Sequence, residues 1–372
     1  MTIINVMWSG GDPYASVHKV HQQILAMAGP SARVQSWLLR GEPNRTSRQL
    51  GDTVNWRIPA RVVRARGMWR LLGPWLRVRL NRALVREDAQ LMLLDGVGVA
   101  RVVLPAIREQ THIRAAVIFH GTTRFTPADR ELFQSFEPFR LDLVAVSETL
   151  AHSIETSTGL RVTPLRSALD PAGFRASLLE PAEARAALGI ACEGKRLLGA
   201  VGRLVGGKGF DHLINSFAQA VEQVPDLALA IFGEGPDREM LQQTIDQLGM
   251  QGRIFLPGHR DDLDRLYRGF DWVLIPSRSE GLGLVLQEAV LAGVPVLASN
   301  LAVFREQLGS AGRYAQVGDE RDWVRAIVEC TLADGRHVAA QQSEAMAPDE
   351  AWQRFRGNCR HILGCSEPAV VD

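Results

Sequence analysis

Lysine is nearly missing from this chain. Only Lys19, Lys195 and Lys208 stand among its 42 basic residues, so arginine supplies almost all the positive charge and each lysine is conspicuous. Cysteine is scarce too. Cys192, Cys330, Cys359 and Cys365 include no CxxC pair, and His361 between the last two does not complete a zinc pattern. Incidental thiols in a reducing compartment are expected, and no metal. No long apolar run occurs. The stretch 91–107 is broken by Asp95, Arg101 and Pro105, so no membrane span is expected. The first residues lack a basic leader before an apolar core, so no signal peptide is expected. Net charge of one sign is also absent: the formal value is +1, which gives no simple case for a nucleic-acid binder. What remains is 372 residues, 46% hydrophobic and 22% charged. That composition excludes disorder and suits two domains, each with its own core.

Short β-rich runs alternate with helical stretches, the pattern of an α/β protein with parallel sheets. Strands are expected at 3–8, 34–39, 91–94, 115–119 and 143–146, with a helix over 16–27 after Gly10-Gly11. Ser147-Glu148 opens another helix, with Ser147 as its cap. A second series places strands at 197–201, 227–232, 254–256, 272–275 and 294–298, and helices at 210–221 and 237–248. Pro171, Gly173 and Pro181 punctuate the seam between the series. The expected division is 1–175, joined by a C-terminal helix within 349–372, and 176–348.

The segment from Arg61 to Arg86 holds eight arginines, with Trp69 and Trp75 among them, and Gly73-Pro74 is expected to interrupt it. Beyond Pro74, Leu76, Leu80, Ala83 and Leu84 share one helical face, while Arg79, Arg82 and Arg86 share another. Such a helix suits an anionic membrane surface. It equally suits an ordinary helix with a solvated basic face.

Three segments carry chemistry. Ser277 to Ala289 follows an apolar strand and runs into a helix, with Glu280 before its start and Glu288 inside it. If the helix begins near Gly283, Glu288 lies about five residues in, roughly 8 Å along the axis. The N–H groups of Gly281, Leu282, Gly283 and Leu284 then sit between two carboxylates, and a helix N-terminus attracts phosphate. An elongated ligand with hydroxyls at both ends and an anion in the middle fits, as a nucleotide sugar does. Gly202 to Phe210 is a strand end and glycine-rich turn bearing Arg203 and Lys208, suited to close phosphate contact. It lacks the Walker GxxxxGK[ST] pattern. Ile231 to Pro236 ends a strand with Gly233 and Gly235, at a place where open α/β sheets bind ligands. Asp262-Leu263-Asp264 is a DxD, but its place at a helix start suggests capping rather than metal binding.

In order, these segments resemble glycosyltransferase family four. Gly202-Arg203-Leu204 with Lys208-Gly209 matches its GRL…KG. Gly233 to Pro236 matches its G-x-GP. Pro276-Ser277, Glu280-Gly281, Gly283, Glu288-Ala289, Gly293 and Pro295-Val296 match its PS-x-x-EG-x-G…EA…G-x-PV. The resemblance implies the GT-B fold, two Rossmann-like domains facing across a cleft. It implies that Arg203 and Lys208 bind the donor diphosphate, Glu288 the ribose hydroxyls and Glu280 the donor sugar, while Phe255 to Arg260 flank the base. It places Gly10-Gly11 near the diphosphate and acceptor, and His120 against the donor sugar. Where the family carries N-G-x-D, this chain reads Ser167-Ala168-Leu169-Asp170 and keeps only the aspartate.

The resemblance further implies a retaining transfer through an oxocarbenium-like state, with the two cations doing what a metal does elsewhere. The expected donor is a nucleotide sugar and the expected acceptor a glycan or lipid-linked glycan. The setting would be lipopolysaccharide or cell-surface polysaccharide synthesis, in the cytoplasm or at the inner membrane face, without nucleic acid or cofactor. A soluble epimerase, a glucan or disaccharide synthase, or a non-catalytic sugar-nucleotide binder are the rival readings. Charge divides unevenly: residues 1–175 hold 23 basic and 14 acidic groups, residues 176–372 hold 19 and 27. The near-zero total is thus the cancellation of a basic half and an acidic half, and a basic half suits an anionic surface.

Overall fold

The structure is a computed structural model. It describes residues 1–9, 15–41, 51–59 and 69–364, the side chains at 15–16 and 69–72 excepted. The chain divides into two compact units, 1–167 with 353–372, and 168–352.

The first unit contains β1 (Thr2–Ser9), α1 (Ala15–Leu25), β2 (Arg33–Arg40), β3 (Asp52–Asn55), α2 (Trp69–Arg86), β4 (Leu91–Asp95), α3 (Gly96–Ile107), β5 (Arg114–Phe119), α4 (Pro127–Gln134), β6 (Leu141–Ala145), α5 (Glu148–Thr158) and β7 (Thr163–Pro164). Its seven strands are parallel in the order β3-β2-β1-β4-β5-β6-β7. Both faces of such a sheet are covered, so β4 and β5 are apolar along their length and buried. The order reverses between β1 and β4, and ligands bind open α/β sheets at such a reversal, beyond the carboxyl ends of the strands.

In α4, Thr126 and Asp129 form a reciprocal cap. Arg101 of α3 donates two hydrogen bonds to Asp129, at 2.6 and 2.7 Å. Burial pushes the Asp129 carboxyl up, but Arg101 and Thr126 together outweigh it and hold the group below its ordinary range. Its folded value is depressed, so its stabilisation is complete above the ordinary 3.8 and is lost as pH falls through the lower folded value. Asp129→Asn is expected to cost about 2 kcal/mol in urea unfolding at pH 7, with the gap closing as the pH is lowered below that range.

Helix α2 runs through Pro74 instead of breaking there. Pro74 is its sixth residue, so the helix lacks one bond to the carbonyl four residues earlier and continues on its remaining bonds. Its leucines Leu76, Leu80 and Leu84 are buried within the unit, as in an ordinary helix with a solvated basic face. The exposed face carries Trp75, Val78 and Val85 instead, 50–60% exposed, among Arg77, Arg79, Arg82 and Arg86. The Arg79 guanidinium lies 4.9 Å from the Trp56 ring and 5.4 Å from the Trp75 ring. The remainder of the arginine-rich segment, Arg61, Arg64 and Arg66, lies outside the described residues.

The second unit contains α6 (Pro171–Ser177), α7 (Pro181–Leu188), β8 (Arg196–Val201), α8 (Phe210–Gln223), β9 (Leu227–Phe232), α9 (Arg238–Gln247), β10 (Ile254–Gly258), β11 (Trp272–Ile275), α10 (Leu284–Leu291), β12 (Val296–Ser299), α11 (Ala302–Leu308), β13 (Arg313–Ala315), α12 (Glu320–Leu332) and α13 (Gly335–Met346); α14 (Pro348–Ile362) begins in it and ends in the first. Its six parallel strands run β10-β9-β8-β11-β12-β13, the doubly wound order, which reverses between β8 and β11. One face of this sheet packs on α8 and α12 through Phe210, Leu213, Phe217 and Trp323, the other around Tyr267, Phe270, Leu286 and Phe304. Cys192, Cys330 and Cys359 are buried free thiols, and burial pushes Cys330 and Cys359 up to about 12. Among the described residues no helix is long and apolar enough to cross a membrane.

Candidate active site

The loops after β8, β9 and β11 converge at the reversal of the second sheet. Glycine permits their approach. A Cβ on Gly233 would lie 1.9 Å from the Gly202 carbonyl oxygen, and one on Gly235 2.2 Å from the Leu204 oxygen. The backbones then bond directly: Leu204 N–H to Glu234 C=O at 3.0 Å, and Asp237 N–H to Leu204 C=O at 3.1 Å. The third loop is tied to the first by Arg278, whose N–H donates to Gly207 C=O at 2.9 Å and whose guanidinium pairs with Asp211 at 2.7 Å. Gly209, with φ at 69°, starts α8 and would put a Cβ 2.1 Å from the Pro276 oxygen.

This convergence brings together the sequence candidates of the second unit. Arg203 is exposed and makes no ion pair among the described residues. Lys208 forms an ion pair with Glu280, and Ser277 Oγ–H donates to the same carboxylate oxygen at 2.8 Å. Gly283, with φ at 81°, caps α10, so Leu284 opens the helix as the spacing requires. Glu288 lies about one turn beyond Leu284. Its carboxylate accepts a 2.8 Å hydrogen bond from the phenol of Tyr267, a buried side chain that sequence reasoning did not single out. Burial, then the Glu288 charge, keep that phenol far above its ordinary value, so it is a donor throughout the working range.

Asp262 does not cap with its side chain, contrary to expectation. It pairs with Arg260 at 2.7 Å, and the helix expected after it is two short 3₁₀ turns, Leu263–Arg265 and Tyr267–Gly269. A nearby guanidinium satisfies the carboxylate better than a single backbone N–H.

In the first unit His120 follows β5. Its Nε2 lies 3.1 Å from Nε2 of His21, a buried residue of α1. His21 Nδ1 meets Asn5 Oδ1 at 2.7 Å, and Asn5 Nδ2–H donates to Ser36 Oγ at 3.3 Å. The Asn5 oxygen only accepts, so His21 carries its proton on Nδ1 and a lone pair on Nε2. Burial, with His18 adding repulsion, pushes His120 down to about 3. Burial, then His120 and His18, holds His21 well below its ordinary value. Both imidazoles are neutral at physiological pH. Asp95 ends β4, accepts the Trp8 N–H at 3.1 Å, and is pushed up chiefly by burial. Gly10 and Gly11 lie outside the described residues.

Residues 183–335 match the family model described as Glycosyl transferases group 1. Group 1 glycosyltransferases are what this stretch resembles. It holds Arg203, Lys208, Gly233, Glu280, the N-terminus of α10 and Glu288. The chain is 26% identical over 235 residues to a 2-deoxystreptamine glucosyltransferase of Streptomyces kanamyceticus, covering 60% of this chain and 61% of that protein. It is 28% identical over 173 residues to the lipopolysaccharide core biosynthesis mannosyltransferase LpsB of Rhizobium meliloti, covering 44% and 49%. A 41% match to the GtfA subunit of a UDP-N-acetylglucosamine–peptide N-acetylglucosaminyltransferase of Streptococcus gordonii spans 26% of this chain and 19% of that one. The chain thus matches less than two thirds of the length of each of these relatives. Anabaena HepE, solved with UDP and glucose, superposes with a TM-score of 0.78 over 98% of this chain and 97% of its own, at 20% identity. That likeness shows the fold, two Rossmann-like parallel-sheet domains of GT-B type.

One consequence follows from Tyr267. Without its hydroxyl, the Glu288 carboxylate loses a charge-assisted bond that aims it. If Glu288 holds a nucleotide-sugar donor, as proposed below, Tyr267→Phe is expected to raise donor KM about tenfold with kcat nearly unchanged, read from initial rates across donor concentrations.

Proposed function

We propose that the chain is a retaining glycosyltransferase that moves a sugar from a nucleotide sugar to a glycan or lipid-linked acceptor. The observation that carries this reading is the gathering of Lys208, Arg203, Glu280, Glu288 and a helix N-terminus at the switch point of the second sheet, in a stretch that resembles group 1 glycosyltransferases. In this reading the diphosphate lies over the loop after β8. Lys208 leaves Glu280 for phosphate oxygen, and Arg203 adds the second cation, so charge on the leaving diphosphate is met without a metal at that place. Gly281 to Leu284 add N–H groups, the Glu280 carboxylate turns to donor-sugar hydroxyls, and Glu288 holds the ribose. Departure of the diphosphate leaves an oxocarbenium-like sugar. The acceptor oxygen attacks it from the leaving-group side and passes its proton to phosphate oxygen.

UDP is the donor nucleotide to test first, because HepE of the same fold was solved with it. The test is a thermal-shift and turnover screen with UDP-, GDP- and ADP-sugars. A UDP-sugar is expected to raise Tm and to yield an acceptor heavier by one glycosyl residue, with unchanged anomeric configuration by NMR. No stabilisation by any nucleotide sugar would overturn the reading.

The acceptor we propose belongs to lipopolysaccharide or cell-surface polysaccharide synthesis, at the inner membrane face. Support comes from the exposed Trp75, Val78 and Val85 among arginines on α2, in the basic half of the chain. An aromatic–arginine face suits the interfacial region of an anionic bilayer. Co-sedimentation with phosphatidylglycerol vesicles, but not with phosphatidylcholine vesicles, is expected. Replacing Arg77, Arg79 and Arg82 by glutamate is expected to reduce it at least tenfold, and unchanged co-sedimentation would remove the membrane from the proposal.

A further inference from the structure

The reversal in the first sheet, between β1 and β4, carries its own cluster. We propose that His21 Nε2, His120 Nε2 and one Asp95 carboxylate oxygen form a binding site for a single first-row transition-metal ion, with zinc as the reference ion. The three ligand atoms lie within 4.8 Å of one another. They come from α1, the end of β4 and the residue that directly follows β5.

The imidazole separation is the sharpest observation. At a metal–nitrogen length of about 2.0–2.1 Å, two nitrogens on one ion lie roughly 3.0 Å apart in octahedral geometry and roughly 3.4 Å in tetrahedral. Here they lie 3.1 Å apart, so one ion reaches both with little ring movement. The outer contacts are those of a ligand set. Asn5 accepts from His21 Nδ1–H and leaves the Nε2 lone pair facing the cluster. The Trp8 N–H holds Asp95 Oδ2 and leaves Oδ1 free to turn toward the imidazoles. Carbonyl or amide partners that fix tautomer and orientation in this way surround metal-bound histidines generally.

Among the described residues Asp95 makes no ion pair with lysine or arginine and accepts one backbone N–H, from Trp8. A carboxyl withdrawn from water is stabilised by a cation or by taking up a proton, and an ion held here would supply the first. On loading, Asp95 binds as the anion, and the His120 proton moves from Nε2 to Nδ1. Two imidazoles with one carboxylate suit zinc, nickel, copper or ferrous iron, whereas magnesium and calcium require oxygen ligands. Three protein ligands leave open positions on the ion. The site lies outside the residues proposed for the diphosphate, and nothing in its argument depends on glycosyl transfer. It departs from the expectation of no metal, which rested on the cysteine spacing and on the place of Asp262-Leu263-Asp264.

The test uses the untagged full chain, stripped with a chelator and titrated with cobalt(II). Visible d–d bands that saturate near one equivalent and are displaced by zinc are expected. His21→Gln and Asp95→Asn are each expected to weaken binding at least 100-fold, and the exposed His361→Gln to leave it unchanged. Circular dichroism and Tm report whether each variant is folded. Zinc-soaked crystals supply a readout free of substitution: an anomalous peak within bonding distance of all three residues supports the site. No cobalt bands at millimolar metal, equal affinity in the folded variants, or an anomalous peak elsewhere would overturn it. In that case the imidazoles are simply a hydrogen-bonded neutral pair.

Discussion

Lys208→Ala is expected to lower kcat for glycosyl transfer by about 10²–10³, the size of effect seen when one donor to a developing anion is removed. The structure explains why the loss is not confined to one charge. Lys208 holds Glu280, and Ser277 holds the same carboxylate oxygen. Removing the ammonium leaves the Glu280 carboxylate with one neutral donor at the place where a diphosphate must come, so repulsion is added to lost attraction. Donor KM is therefore expected to rise together with the fall in kcat. Lys208→Arg is expected to recover only part of the rate, because a planar guanidinium does not reproduce a compact ammonium in a turn this tight. Single-turnover measurement with radiolabelled donor separates the two effects. Lys208 is partly exposed and caps no core, so Tm of the unliganded protein is expected to change little. A wild-type rate in Lys208→Ala would remove this lysine from the site.

Gly233→Ala is expected to act on the fold instead. The added methyl would sit 1.9 Å from the Gly202 oxygen, a distance no packing adjustment of side chains can relieve, and φ at 144° is itself unfavourable for alanine. The loops after β8 and β9 must part, and both lose backbone hydrogen bonds. A loss of more than about 3 kcal/mol in urea unfolding is expected, with lower soluble yield. Gly207→Ala is the matched control. No atom lies within 4 Å of its Cβ position, and a change under about 0.5 kcal/mol is expected. Equal effects of the two substitutions would show that the close loop contact is not limiting.

The readability of this chain followed the distance between interacting residues. The sheets were legible because parallel strands buried on both faces are continuous apolar runs with glycine or proline at their ends. Strands β3, β7 and β13 were not, being two to four residues long, too short for a period. The loop after β8 and the start of α10 were legible because each packs its charged and glycine residues into a dozen consecutive positions. Tyr267 was not, since its link to Glu288 is made by folding alone. His21 is the clearest case. Read along the helix it is an ordinary inward-facing side chain, and Asp95 is only a break in an apolar run. Their meeting with His120 depends on the strand order β1-β4-β5, which no local pattern announces. For α2 the period was legible but its partner was not: the leucine stripe serves the core of its own unit, one of the two readings the pattern left open.

The interlocked glycine loops bear on how this protein could be retuned. Gly202, Leu204, Glu234 and Asp237 lie backbone against backbone, and Arg278 fastens a third loop to them. Such a scaffold has almost no room for mutation without loss of fold. On the function proposed above, variation in nucleotide choice would enter where the chain is looser, at Phe255, Leu256, Pro257 and His259, which lie at the β10 edge of the sheet and are partly or fully exposed. A directed-evolution library for a new donor base therefore belongs in that strand and its following turn, with the glycine loops left untouched.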